Sequence, residues 1–302
     1  MVKVVLAGGS GAIGRRLAAD LVDRGVEVVV LTRRPRDDVP GRQRTWDGAS
    51  VGPWASELAG AVVCNLAGEL VDRAPTRSNI RLLRTSRVQP TRALVRAAAG
   101  LDDPPPVWLQ MSTLAIHGDA GEVVLDGSSP PADGPPQMAG VARPWEQAAI
   151  DAPAERTVWL RTGVALDRGT PALDRLAQLT RFGLGGRVGS GRQWISWVHM
   201  ADLIRAITFT MEHAQLRGPI AVTSPQPVRN AELMAELRRT LRRPPAPPTP
   251  TPLVHLGARL LGSDPALALT GRRAHPRELL AAGFGFRFPT LGPALDDLFR
   301  RP

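Results

Sequence analysis

Val2-Lys3-Val4-Val5-Leu6-Ala7-Gly8-Gly9-Ser10-Gly11-Ala12-Ile13-Gly14 runs from an apolar, β-branched stretch straight into a glycine-rich turn. The apolar run predicts a buried strand over 2–7, and the spacing behind it predicts a helix from about 12 to 24, ended by Gly25. Gly8, Gly11 and Gly14 stand in a G-x-x-G-x-x-G pattern at that junction. Gly8 permits a tight turn, Gly11 lets a pyrophosphate approach the backbone, and Gly14 lets the helix pack closely. The helix N-terminus offers free N–H groups and partial positive charge to phosphates. A dinucleotide cofactor is therefore expected on Gly8, Ser10, Gly11, Ala12, Ile13 and Gly14.

Working outward, short apolar runs alternate with longer stretches at helical spacing. Strands are expected over 26–31, 44–46, 61–66, 107–112 and 157–162, with helices over 77–98 and 138–150. This is the pattern of an α/β fold, a Rossmann doubly wound parallel sheet, occupying residues 1–165. A later strand near 218–224 is expected to return to the sheet. Residues 166–302 read as a smaller, mostly helical substrate-side and C-terminal domain. It contains a stiff proline-rich linker at 244–252 and a glycine- and arginine-rich stretch at 181–192, expected to be mobile.

The end of the second strand selects the cofactor. Thr32-Arg33-Arg34 carries no carboxylate until Asp37, whereas NAD-binding chains place an Asp or Glu there for the ribose hydroxyls. A guanidinium suits the 2′-phosphate of NADP (NADPH), so Arg33 is the first candidate. Arg34 is a ligand or a solvated arginine. Small and polar residues recur at other strand ends, in Asn65-Leu66-Ala67-Gly68, Met111-Ser112-Thr113 and Arg161-Thr162-Gly163. Ligands of open parallel sheets bind outside these carboxyl ends, so one extended cofactor accounts for all of them.

Composition narrows the classes. The 302 residues carry a net charge of +10, yet the arginines are scattered and not interleaved with aromatics, so no nucleic-acid partner is expected. No apolar stretch is long enough to span a bilayer and no signal peptide is evident, which gives the expectation of a cytoplasmic protein without a membrane partner. The single cysteine, Cys64, excludes a disulfide framework. His213, His255 and His275 show no metal-ligand spacing, so no metal is expected. Lys3 is the one lysine, and tyrosine is absent altogether.

Several segments together resemble an atypical extended short-chain dehydrogenase/reductase of the epimerase-like subfamily, related to nucleoside-diphosphate-sugar epimerases and carrying that subfamily's C-terminal domain. They are Gly8 to Gly14, Asn65-Leu66-Ala67-Gly68-Glu69, Ser86-Arg87, Trp145-Glu146, Arg161-Thr162-Gly163, the stretch from Gly189 through Arg192-Gln193-Trp194-Ile195-Ser196-Trp197-Val198-His199, and Gly283 to Thr290. The resemblance implies NADP and a small-molecule substrate held by the second half, with a homodimer possible. It places Thr113 at the family's catalytic hydroxyl position. The family's Tyr-x-x-x-Lys pair is missing, with Ala142 at the Tyr position and Glu146 at the Lys position. It also points to Glu69, Arg192, Trp194 and Ser196 on the substrate side.

The residues left for chemistry are Thr113, Ser112, His117 and Glu146. His117 titrates near neutrality and is a candidate general acid/base, or it fills an aromatic's slot. Glu146 is a base if desolvated, or a ribose-binding or exposed carboxylate. Three functions stay open: an NADP(H)-dependent oxidoreductase or epimerase on a carbonyl or hydroxyl compound, a non-catalytic NADP-binding sensor or scaffold, and an enzyme of non-redox acid/base chemistry.

Overall fold

The computed structural model describes residues 2–299. In chain order the first half runs β1 (Lys3–Ala7), α1 (Ala12–Asp23), β2 (Glu27–Thr32), β3 (Arg42–Thr45), β4 (Val62–Asn65), α2 (Arg77–Ala99), β5 (Val107–Thr113), β6 (Val124–Leu125), α3 (Ala139–Gln147) and β7 (Arg156–Thr162). The second half continues β8 (Val164–Leu166), α4 (Pro171–Arg181), β9 (Trp194–Ile195), β10 (Trp197–His199), α5 (Met200–Glu212), β11 (Gly218–Val222), β12 (Val228–Arg229) and α6 (Asn230–Thr240). It ends with α7 (Thr251–Leu261), α8 (Ala266–Leu269), β13 (Arg273–Ala274), α9 (Arg277–Ala281) and α10 (Leu291–Phe299).

Seven strands form one sheet in the order β3-β2-β1-β4-β5-β7-β11, every neighbour parallel. Connections from β1 run outward to β2 and β3, and those from β4 run the opposite way. The switch point therefore lies between β1 and β4, in register Leu6 to Cys64 and Ala7 to Asn65. Both faces of the sheet are covered, which is why the strands read as continuous apolar runs. Val4, Leu6, Val30, Cys64, Leu109 and Leu160 face the layer that includes α1 and α5. Val5, Ala7, Val29, Leu31, Val63 and Trp108 face the layer that includes α2, Trp46 and Trp54. Cys64 is a buried free thiol pushed up to about 12 by burial. It is a packing residue, not a nucleophile.

A second core gathers Leu166, Leu173, Trp197, Leu233, Leu237, Phe288 and Leu295. The fully buried Asp202 ties the end of the chain to it, accepting from Arg287 N at 2.8 Å and Phe288 N at 2.7 Å. Two expected features differ. The glycine-rich stretch is fastened, because Gly189 N donates to Thr249 O at 2.8 Å and Val188 N to Asn230 Oδ1 at 2.8 Å. The proline-rich stretch is its partner and not a free spacer, with Thr249 N donating back to Arg187 O at 2.9 Å. Backbone pairing joins the two stretches. No described helix is long and apolar enough to cross a membrane.

Candidate cofactor site

The turn after β1 is built by close approach. Gly8 holds φ +77°, and a Cβ on it would lie 2.8 Å from Ala67 N across the switch point. A Cβ on Gly14 would meet Gly9 Cα at 2.5 Å, so helix α1 rests directly on the turn. Gly9, to which the sequence reading assigned no role, is equally confined: its Cβ would lie 2.8 Å from Val30 Cγ1. Gly11 is different, with only Gly8 O at 3.4 Å. It caps α1 without a side-chain hydrogen bond, and no acidic residue occupies the first turn. The first turn of α1 thus has no capping side chain and no carboxylate, and Gly11 and Ala12 at its start are exposed. This cradle fits a pyrophosphate.

Around it the other strand ends converge. Thr32 Oγ1 lies 3.4 Å from Ser10 Oγ and 3.0 Å from Arg34 O, fixing the chain past β2. Arg33 is exposed and pairs with Glu69 at 3.4 Å, whereas Arg34 makes no ion pair among the described residues. Asn65 contributes shape: its amide donates to Thr91 Oγ1 at 2.8 Å and Gln110 Oε1 at 3.0 Å, and its Oδ1 accepts from Ala67 N. With its side chain consumed, Asn65 shapes the strand end, and Leu66 and Ala67 beside Gly8 are left to meet a ligand. Ser86 and Arg87 hold the next residue: Glu69 N donates to Ser86 Oγ at 3.2 Å, and Arg87 Nη2 donates to Glu69 O at 2.9 Å. Arg87 is buried, stands 5.0 Å from the Trp145 ring centroid and is pushed down to about 10 by burial.

A second group lies at the ends of β5 and β7. Arg161 sends Nε and Nη2 to the two oxygens of Glu146 at 3.0 and 2.9 Å, and Nη1 to Gly127 O and Ser129 O at 3.0 and 2.7 Å. Ser112 Oγ donates to Glu146 Oε1 at 2.5 Å. Arg161 and Glu146 are thus consumed by each other, which corrects the expectations of a free base at 146 and a cofactor ligand at 161. Ser112 is likewise engaged. Met111 Sδ accepts from the buried Thr162, so both side chains are internal, and Gly163 N binds Val222 O. Thr113 differs: half-buried, its Oγ1 accepts from Ala115 N at 3.1 Å, and its own proton has no acceptor among the described residues.

His117 requires correction as a general acid/base. It is 5% exposed; Nδ1 lies 3.0 Å from Pro130 O and Nε2 is buried with no partner among the described residues. Burial holds its pKa below the ordinary 6.5. The neutral ring donates from Nδ1, and its lone pair faces packed protein. Because the unfolded chain binds this proton more readily, stability falls as pH drops below about 6.5, by at most about 1.4 kcal/mol per pH unit for one histidine. His117→Gln keeps a donor and cannot titrate; denaturation across pH 5–7 is expected to show a shallower acid slope for this variant. An unchanged slope would assign the titration to His199, also held low by burial.

The substrate-side expectations separate. Ser196 is buried, donates to Arg272 O at 2.9 Å and accepts from Ala274 N at 2.8 Å. It is a brace for β13, which corrects its assignment as a substrate ligand. Trp194 donates to Glu122 at 2.9 Å, with Arg229 and Arg273 4.0 and 4.7 Å from its ring centroid. Arg229 and then Trp194 hold the Glu122 carboxyl down to about 2. Trp194 also lines a cavity of about 340 Å³ with Pro225, Gln226, Pro227 and His275. Arg192 is exposed. Glu69 stands with Arg33 and Arg73, at the glycine loop.

Residues 262–274 cross the sheet ends: Gly262 O accepts from Ala74 N at 2.6 Å, Gln193 Nε2 donates to Ala268 O at 2.8 Å, and Arg272 Nε donates to Gly118 O at 2.7 Å. Among the described residues no group of three or more His, Cys, Asp or Glu side chains could hold a metal.

Residues 4–138 match the NAD dependent epimerase/dehydratase family, and residues 249–298 match a domain of unknown function (DUF1731). The epimerase family protein SDR39U1 of Bos taurus is 32% identical, over 98% of this chain and 99% of that protein. The epimerase family protein ML0860 of Mycobacterium leprae is 34% identical, over 99% and 96%. The crystal structure of human epimerase family protein SDR39U1 (isoform 2) with NADPH superposes with a TM-score of 0.88 at 30% identity, covering 100% of both chains.

Proposed function

The chain belongs to the epimerase family of atypical extended short-chain dehydrogenase/reductases, and from this we propose that it binds NADP(H) and acts as an oxidoreductase or epimerase on a small or nucleotide-linked carbonyl or hydroxyl compound. The carrying observation is the glycine-built turn of Gly8 to Gly14, with no side chain capping α1, and Arg33 at the end of β2, where an NAD-binding chain would have a carboxylate. The human relative's NADPH complex supports the same cofactor.

When bound, the nicotinamide supplies or accepts hydride. This chain's residues do the rest. The loop from Gly8 to Gly14 binds the pyrophosphate, Arg33 pairs with the 2′-phosphate, and the backbone of 66–68 flanks the neighbouring ribose. Thr113 Oγ1, which accepts from Ala115 N, would donate a hydrogen bond to the reacting oxygen, and that oxygen would exchange its proton with solvent. No side chain repeats the Tyr-Lys relay. Ala142 is buried, and Glu146 is neutralised by Arg161.

Arg33→Asp is expected to weaken NADPH binding by about 30-fold and leave NADH binding little changed, since a charge-assisted bidentate contact becomes a repulsion. Dissociation constants from nucleotide fluorescence check this, and an unchanged preference would reject the cofactor assignment. The enclosed His117 and the occupied Glu146 favour a second reading, an NADP-binding protein without turnover. NADPH oxidation across a panel of aldehydes, ketones and sugar nucleotides separates the two. Turnover lost on Thr113→Val supports the enzyme; tight binding with no turnover on any carbonyl supports the sensor.

A further inference from the structure

Glu69 sits where two arginines meet. Its Oε1 lies 3.4 Å from Arg33 Nη2 and its Oε2 lies 3.2 Å from Arg73 Nη2. Arg33 leaves β2 and Glu69 follows β4, and these strands flank β1 on opposite sides. The ion pair therefore reaches over the glycine loop that β1 feeds, across two strand spacings of about 4.8 Å each. Glu69 is held for this by backbone contacts to Ser86 and Arg87. Arg73 is not fully satisfied: its Nε is buried with no acceptor among the described residues. The adjacent Asp72 is engaged by Arg175 at 2.7 Å and by the Ser263 hydroxyl, so it does not supply that acceptor.

We propose that Glu69 is a resident counter-anion holding Arg33 and Arg73 together over the glycine loop. The 2′-phosphate of NADP takes its place, and Arg73 is a second phosphate ligand beside Arg33. This rests on the reading that the end of β2 selects NADP. A carboxylate carries one negative charge and two acceptor oxygens. A phosphate monoester carries about −1.5 to −2 and three such oxygens, so it serves both guanidiniums and reaches the idle Nε of Arg73. NAD brings only a hydroxyl there and cannot replace the carboxylate. Parting the clasp is then uncompensated, and Glu69 sharpens discrimination against NAD without touching either cofactor's nicotinamide. The ion pairs are partly exposed and individually weak, which suits a contact that must be exchanged at each binding event.

The test is titration of the purified full chain with NADPH and with NADH. Arg73→Met is expected to weaken NADPH about tenfold and leave NADH unchanged, and the NADH constant on the same sample reports an intact fold. Arg73→Gln serves as a second variant. Glu69→Gln is expected to tighten NADPH about three- to fivefold, the worth of the pairs no longer broken. Equal losses for both cofactors on Arg73→Met, or no loss for either, would overturn the proposal. Weaker NADPH binding by Glu69→Gln would also overturn it, because Glu69 would then be orienting Arg33. If Arg33→Asp removes NADPH preference while Arg73→Met does not alter it, this inference alone fails. If Arg33→Asp itself changes nothing, the cofactor assignment fails with it.

Discussion

Arg161→Met is expected to destabilise the protein by about 3–5 kcal/mol, the cost of stranding a buried charge. In a chain of this size that lowers the thermal midpoint by about 5–8 °C. Methionine keeps much of the arginine stem and removes every donor. Glu146, its side chain 15% exposed, would retain only Ser112, and the carbonyls of Gly127 and Ser129 would lose their shared partner. Those carbonyls belong to the loop whose Pro130 O receives His117, so the 118–136 segment should also gain protease sensitivity. Adding Glu146→Gln should recover about half of the loss, because a neutral amide costs less to bury than an unpaired carboxylate. Equilibrium denaturation measures both, and a loss under about 1 kcal/mol would mean that water stands in for the guanidinium.

Gly14→Val carries the other large effect. Its Cβ would lie 2.5 Å from Gly9 Cα and 2.7 Å from Gly9 O, atoms of the backbone that cannot yield. Helix α1 must then lift from the turn, at about 3 kcal/mol, the upper end of overpacking costs. NADPH affinity should fall at least about a hundredfold, since the N–H groups of the first turn leave their positions. Gly25→Ala is the control. Nothing lies within 4 Å of its Cβ and only φ +75° opposes it, so it should cost about 1 kcal/mol and leave NADPH binding intact. Equal loss of cofactor binding in both would show that general destabilisation, not the cradle, is being measured.

What was legible in the sequence follows from range. The strands could be read because a sheet covered on both faces demands uninterrupted apolar runs such as Val28 to Leu31. The cradle could be read because its spacing is local. Gly9 escaped notice because its constraint comes from Val30, on the neighbouring strand. Glu146 invited a catalytic role while its neutralising partner, fifteen residues on, is brought beside it only by the packing of α3 against the paired strands β5 and β7. His117 is legible as a residue type, but the direction of its Nε2 is settled by packing. Ser196 sits in a motif that the resemblance singled out, yet its hydroxyl is spent on residues 272 and 274. Arg73 carries no local signal at all: an isolated arginine in a loop gains meaning only from Glu69 and from an unused N–H.

The crossing of residues 262–274 over the ends of β4 and β5 has a consequence for the growing chain. The glycine loop needs β1, α1, β2 and, through Ala67, the end of β4, whereas residues 262–274 are made well after all of these. Domains generally fold as units during synthesis, N-terminal ones first. The contacts of Gly262 with Ala74 and of Arg272 with Gly118 therefore form only after all seven strands of the parallel sheet have been made.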